Sequence, residues 1–136
     1  MKRYVIIVAG GKGLRMGGDL PKQFIPMAGK PVLMHTVEKF WMWDNQINII
    51  LVLPIAHQAY WKMLCKEIGC KAPHRIVNGG ETRFHSVQNG LNAIREEIEA
   101  SGEKALIAVH DGVRPFVSPE VISACFTQVE ETGAVV

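Results

Sequence analysis

The sequence predicts an open, doubly wound α/β fold: three layers, with helices on both faces of a mostly parallel sheet. Three observations carry this. Short β-branched apolar runs recur along the chain, segments of helical periodicity separate them, and 136 residues at 48% hydrophobic content make one domain with enough chain for a real core.

In chain order, Tyr4 to Ala9 is a continuous apolar run, the pattern of a central parallel strand covered on both faces. Val32, Leu33, Val37, Phe40 and Trp41 then share one helical face, and Ile47 to Leu53 is a second apolar run. Trp41, Met42, Trp43, Trp61 and Met63 fall at helical or helix-end positions and read as packing residues. Arg75-Ile76-Val77 is a weaker strand. Val87, Leu91, Ile94 and Ile98 recur at spacings of four, three and four, an amphipathic stripe. Ala105 to Val109 forms a third strong run. Ser118-Pro119-Glu120 supplies an N-cap, a first-turn proline and a first-turn acid. Val121, Ile122, Cys125, Phe126 and Val129 are expected on that helix's buried face, and Ala134 to Val136 begin another strand. The last residue lies inside this strand, so the chain reads as a fragment of a longer protein.

Composition removes several classes of function. A formal net charge of +2 is too small to argue for nucleic acid. The longest apolar stretch, around Ile49 to Ala56, holds Pro54 and is far short of the roughly 20 residues of a spanning helix. A soluble chain away from membranes is expected, and the N-terminus has no cleavable signal of the usual length. Three cysteines, Cys65, Cys70 and Cys125, are an odd number at no metal spacing, which suits reduced thiols in a cytoplasmic protein.

In doubly wound sheets, ligands bind beyond the carboxyl ends of the strands, so the loops after Ala9, Val77 and His110 are where chemistry is expected. The first reads Ala9-Gly10-Gly11-Lys12-Gly13-Leu14-Arg15-Met16-Gly17-Gly18. It fails the dinucleotide fingerprint, which wants glycine where Met16 stands, and the ATPase phosphate loop, which wants Ser or Thr where Gly13 stands. A glycine turn remains, followed by two cations, Arg15 and Lys22 of Pro21-Lys22-Gln23. That combination suits a polyphosphate, whose transfer chemistry is mostly positioning and charge stabilisation. Ordinary solvated loop charges are the alternative.

The second loop runs Asn78-Gly79-Gly80-Glu81-Thr82-Arg83-Phe84-His85-Ser86. Its paired glycines expose backbone groups that can read a base edge, and Ser86 adds a hydroxyl; a plain strand-to-helix turn capped by Thr82 is the alternative. The third, Val109-His110-Asp111-Gly112-Val113-Arg114-Pro115, ends a buried strand on an acid. Asp111 there suits a Mg²⁺ ligand and Arg114 a second anionic group, against a structural Asp111–Arg114 ion pair. His110 reads as a structural hydrogen bonder. His35, His57, His74 and His85 show no ligand spacing.

At these loops the sequence resembles a known family. Ala9 to Met16 with Pro21-Lys22 is similar to the signature of nucleotidyltransferases of glycosyltransferase-A-like, Rossmann-like fold. Gly29-Lys30-Pro31-Val32-Leu33-Met34-His35-Thr36, Gly79 to Leu91 and Val109 to Pro115 narrow the resemblance to the 2-C-methyl-D-erythritol 4-phosphate cytidylyltransferases, over nearly the whole chain. The resemblance implies transfer of CMP from CTP to methylerythritol 4-phosphate, releasing pyrophosphate, in non-mevalonate isoprenoid synthesis. It implies Mg²⁺ or another divalent cation, a cytoplasmic homodimer, and no nucleic-acid or membrane partner. It further implies Arg15 and Lys22 as catalytic cations, and Ala9, Gly10, Gly11 and Gly13 around the triphosphate. Gly80, Glu81 and Ser86 would lie on cytosine and ribose, Asp111 by the metal and nucleotide, and Arg114 on the polyol phosphate.

Residues 1–136 would then be the CTP-binding part of a single nucleotidyltransferase domain, lacking the C-terminal part and the dimerisation arm, and inactive alone. Gly112 and Val113 replace the alanines usual in the family, which implies a packing change only. A ribitol 5-phosphate cytidylyltransferase and a catalytically silent nucleotide-binding module are the competing readings.

Overall fold

The first apolar run forms strand β1 (Lys2–Val8) at the middle of a parallel sheet. A short 3-10 turn (Lys22–Phe24), a small hairpin of β2 (Pro26–Met27) and β3 (Lys30–Pro31), and helix α1 (Val32–Trp43) come next. Then follow β4 (Asn48–Leu53), α2 (Ile55–Ile68), β5 (Arg75–Asn78), α3 (Arg83–Ser101) and β6 (Ala105–Asp111). This is a computed structural model, and it describes residues 2–10, 20–115, 118–123 and 126. Gly11, Gly13 and Arg15, the expected strand at Ala134 to Val136, and the expected buried positions Cys125 and Val129 lie outside the described residues.

The sheet order is β5-β4-β1-β6, all parallel. The chain steps outward from β1 to β4 to β5, then α3 carries it back across the sheet to lay β6 against the other side of β1. Period-two alternation on β1 divides the core. Val5, Ile7 and Ala9 join Leu33, Val37 and Phe40 of α1 and Trp61 of α2 on one face. Tyr4, Ile6 and Val8 join Ile94, with Leu91 and Ile98, of α3 on the other. Three layers result, with the carboxyl ends of β1 and β6 side by side where the winding reverses, the ligand-binding crevice of such sheets.

Several details differ from the sequence reading. Met42 is 75% exposed and Met63 43% exposed, so neither is a packing residue; each points off the solvent side of its helix. Val121 is 53% exposed, while Ile122 and Phe126 are buried. Ser118 does cap its turn, accepting the Val121 amide hydrogen on Oγ at 3.2 Å. The hairpin of β2 and β3 carries no apolar alternation that would mark it in the sequence. Its loop, Ala28-Gly29, has positive φ at both residues (51° and 82°), the two-residue turn whose twist suits a hairpin.

Candidate functional site

Three loops meet at the carboxyl ends of the strands around a cleft of about 260 Å³. Gly10, Lys22, Gly80, Glu81, Ser86 and Asp111, all singled out from the sequence, line it, together with Val8, Gln23, Thr82, Arg83 and Val113.

One wall leaves β1. Ala9 is buried and its amide donates to the Val52 carbonyl at 3.0 Å, so Ala9 belongs to the sheet and the turn begins at Gly10. Gly10 has φ +83°, and a Cβ there would stand 2.5 Å from Gln23 Nε2. Both the conformation and the space demand glycine. Gln23 is 1% exposed, and its Nε2 lies 3.0 Å from His57 Nδ1 on α2. This buried amide is bolted behind the glycine turn while its neighbour, Lys22, projects at the cleft surface. The 3-10 turn is held by the Phe24 amide donating to the Pro21 carbonyl at 3.0 Å. The Phe24 ring meets His57 and Tyr60 edge-on at 5.6 and 5.0 Å.

The opposite wall is the start of α3. Thr82 is the N-cap, its Oγ1 accepting the His85 amide hydrogen at 3.2 Å and lying 2.9 Å from His85 Nδ1. Ser86 is buried, and its Oγ accepts the Gly80 amide hydrogen at 3.0 Å. Ser86 therefore holds the glycine loop in shape while lining the cleft. The Gly79 amide donates to the Leu53 carbonyl at 3.0 Å, and Asn89 Nδ2 to the Asn78 carbonyl at 3.0 Å. Glu81 and Arg83 stay exposed at the rim.

The third loop closes the floor. Asp111 Oδ1 accepts the Val113 amide hydrogen at 3.1 Å, and Oδ2 lies 3.7 Å from Arg114 Nε. The Gly112 amide donates to the Val8 carbonyl at 2.8 Å, and its carbonyl accepts from the buried Thr36 hydroxyl at 2.7 Å. A Cβ at 112 would press Leu33 Cδ1 at 2.9 Å and Ala9 Cβ at 3.0 Å, so glycine here lets α1 close on the loop. Arg114 is 78% exposed and lies outside the cleft lining. His110 Nε2 donates to the Arg114 carbonyl at 2.9 Å, a structural hydrogen bond.

The arrangement offers a cation, two carboxylates, a rim arginine and a glycine-lined entrance, with several loop amides tied into the scaffold. Among the described residues no three His, Cys, Asp or Glu side chains cluster as a metal cage. A hard divalent cation held mainly by phosphate oxygens and water needs only one or two carboxylates. Asp111, with one oxygen engaged only by a long ion pair, fits that requirement. Gln23 and Arg83 join the cleft lining beyond the residues the sequence singles out. Glutamine is usually a surface residue, and nothing in the spacing places it under Gly10. Arg83 had a signal, a cation at the first position of a helix that follows a glycine loop.

Comparison with known proteins gives the family and the fold. The family model for 2-C-methyl-D-erythritol 4-phosphate cytidylyltransferase matches residues 4–136. A protein of that name from Phocaeicola vulgatus is 57% identical over 136 residues, all of this chain and 59% of the relative. One from Bacteroides thetaiotaomicron is also 57% identical, over the same shares. The crystal structure of a 4-diphosphocytidyl-2C-methyl-D-erythritol synthase from Anaerococcus prevotii superposes with a TM-score of 0.73 at 28% identity, covering 96% of this chain and 51% of that one. The chain thus spans 59% of the length of these curated relatives.

Proposed function

This chain belongs to the 2-C-methyl-D-erythritol 4-phosphate cytidylyltransferase family, and from that premise we propose that the whole protein transfers CMP from CTP to 2-C-methyl-D-erythritol 4-phosphate with release of pyrophosphate. Residues 1–136 are, in this proposal, the nucleotide-binding part of one nucleotidyltransferase domain. The further length seen in its relatives completes the polyol pocket and a homodimer. Among the described residues no helix is long and apolar enough to cross a membrane. The cytoplasmic location of the whole enzyme is part of the proposal and rests on the family resemblance.

The observation that supports this most directly is the convergence of Gly10, Lys22, Gly80, Glu81 and Asp111 on one cleft from three separate loops. The acceptor phosphate is already ionised near neutral pH, so its attack on the α-phosphorus of CTP requires no general base. Charge accumulates on the α-phosphate oxygens in the transition state. The Lys22 ammonium on the cleft surface opposes that charge, and Arg15, in the adjoining glycine-rich segment, is assigned the same role. The left-handed turn at Gly10, with Gln23 packed against it, presents its backbone to the triphosphate.

Gly80 and Glu81 face the cytidine, with Ser86 holding the Gly80 amide in place. Asp111 is assigned to a divalent cation such as Mg²⁺, which when bound would neutralise phosphate charge. Arg114, outward on the same loop, is assigned to the phosphate of the second substrate.

Pyrophosphate release by the full-length enzyme tests the reading. Release with CTP and methylerythritol 4-phosphate, but not with ribitol 5-phosphate, is expected; the reverse would overturn the substrate. Lys22→Ala should lower kcat about 10²–10³-fold with an unchanged melting temperature, because the Lys22 side chain is exposed. Undiminished turnover would remove Lys22 from catalysis.

A further inference from the structure

Away from the cleft, the end of α2 brings two thiols together. Helix α2 stops at Gly69, whose φ of +85° is left-handed. The Cys65 carbonyl accepts both the Gly69 amide hydrogen at 2.9 Å and the Cys70 amide hydrogen at 3.0 Å. Such a reversal places the side chain three positions before the helix end beside the one just beyond the left-handed residue. In most proteins that contact is between apolar groups. Here both positions are cysteine.

The backbone bond also limits the separation. With ordinary bond lengths, a 3.0 Å contact from Cys70 N to Cys65 O keeps the two α-carbons within about 7 Å. A disulfide needs roughly 4.4–6.8 Å. Both residues are free and half-buried, packed against the α1–α2 face of the core, so each retains a path to solvent.

We propose that Cys65 and Cys70 form a thiol modification site that exchanges with low-molecular-weight disulfides of the glutathione class and closes to an intramolecular disulfide clipping the α2 cap. The Cys70 thiolate attacks one sulfur of the small disulfide. It forms a mixed disulfide and expels one thiolate, which takes up a proton. Cys65 then loses its proton and attacks the Cys70 sulfur, expelling the second small thiol. One small disulfide is reduced to two thiols as the protein dithiol is oxidised, so electrons and protons balance.

The order of attack follows from the environment. The Cys65 thiol, as hydrogen-bond partner, is the largest influence on Cys70 and brings it from 9.0 down to about 7; the Ala72 backbone and, more weakly, Lys30 assist, while burial and Glu38 oppose. The same interaction with Cys70, then burial and the Coulomb effects of Cys70 and Glu38, push Cys65 up. Cys70 is therefore the more readily ionised of the two, and so the attacking thiol, with Cys65 the resolving thiol.

The test uses the reduced full chain treated with oxidised glutathione, quenched with an alkylating agent and mapped by mass spectrometry. A peptide pair joined through Cys65 and Cys70, each protected from alkylation, is expected. In Cys65→Ala, Cys70 should accumulate one glutathione. Its capture rate at pH 7 should fall roughly five- to tenfold, the lost thiolate fraction being partly offset by higher intrinsic nucleophilicity. Circular dichroism of each variant verifies the fold. Glutathione arriving first on Cys65, or both thiols remaining alkylatable in the folded chain, would overturn the proposal.

Discussion

The two walls of the cleft are built by different means. The wall that leaves β1 is held by shape. Gly10 sits in a left-handed conformation against a fully buried Gln23, which is itself fastened to His57, and Pro54 closes the space at 3.2 Å. The wall at the head of α3 is held by hydroxyls, with Thr82 capping the helix and Ser86 retaining the Gly80 amide. Packing tolerates little change in volume, whereas a cap loses one hydrogen bond at a time. The contrast assigns different jobs: the first wall fixes a cation and the backbone beside it, and the second fixes a loop whose free side chains, Glu81 and Arg83, remain at the rim.

The largest effect is expected at Gly10. Gly10→Ala adds a methyl group 2.5 Å from Gln23 Nε2 in a conformation that alanine resists. The left-handed conformation costs about 1–2 kcal/mol and overpacking about 1–3 kcal/mol, so urea unfolding should show a loss of about 2–5 kcal/mol. A cycle with Gln23→Ala sharpens the comparison. If the wall is built by shape, the second substitution relieves part of the first, and the double variant is more stable than the sum of the single losses predicts. Strict additivity would mean that backbone conformation alone restricts Gly10.

A smaller loss is expected on the other wall. Thr82→Ala removes the cap acceptor for the His85 amide, and about 1 kcal/mol of stability should go with it. Thr82→Ser retains the oxygen and should recover most of the loss in the same unfolding measurement. A loss from Thr82→Ala as large as that from Gly10→Ala would break the distinction between the walls.

The sequence made the scaffold legible wherever burial imposed a pattern. Four β-branched runs became the four sheet strands among the described residues, and the Val87, Leu91, Ile94, Ile98 stripe became the buried face of α3. The site loops were legible because glycines and charges follow those runs directly. Much of what supports the site was not. Gln23 carries no signal that it is buried, since its partner His57 is 34 residues away and only the fold joins them. The Cys65–Cys70 contact depends on the left-handed cap at Gly69, whereas the spacing of the cysteines suggests nothing by itself. Strands of two residues, such as Pro26–Met27, are too short to show any period.

The hairpin gives the smallest and most discriminating prediction, because it connects the Lys22 turn to α1 without lining the cleft. Ala28 is an exposed L-residue at φ 51°, where glycine would sit without its Cβ penalty. Ala28→Gly exchanges that relief, about 1–2 kcal/mol, for the greater backbone freedom of glycine in the unfolded chain, roughly 0.5–1 kcal/mol. The net expectation is a gain of up to about 1.5 kcal/mol in unfolding free energy. Nucleotide affinity of the full-length enzyme, measured by calorimetry with CTP, should not change. A stability gain with altered affinity would extend the first wall as far as the hairpin, making it a support for Lys22 as well as a connection. Unchanged affinity confines that wall to Gly10, Gln23 and His57.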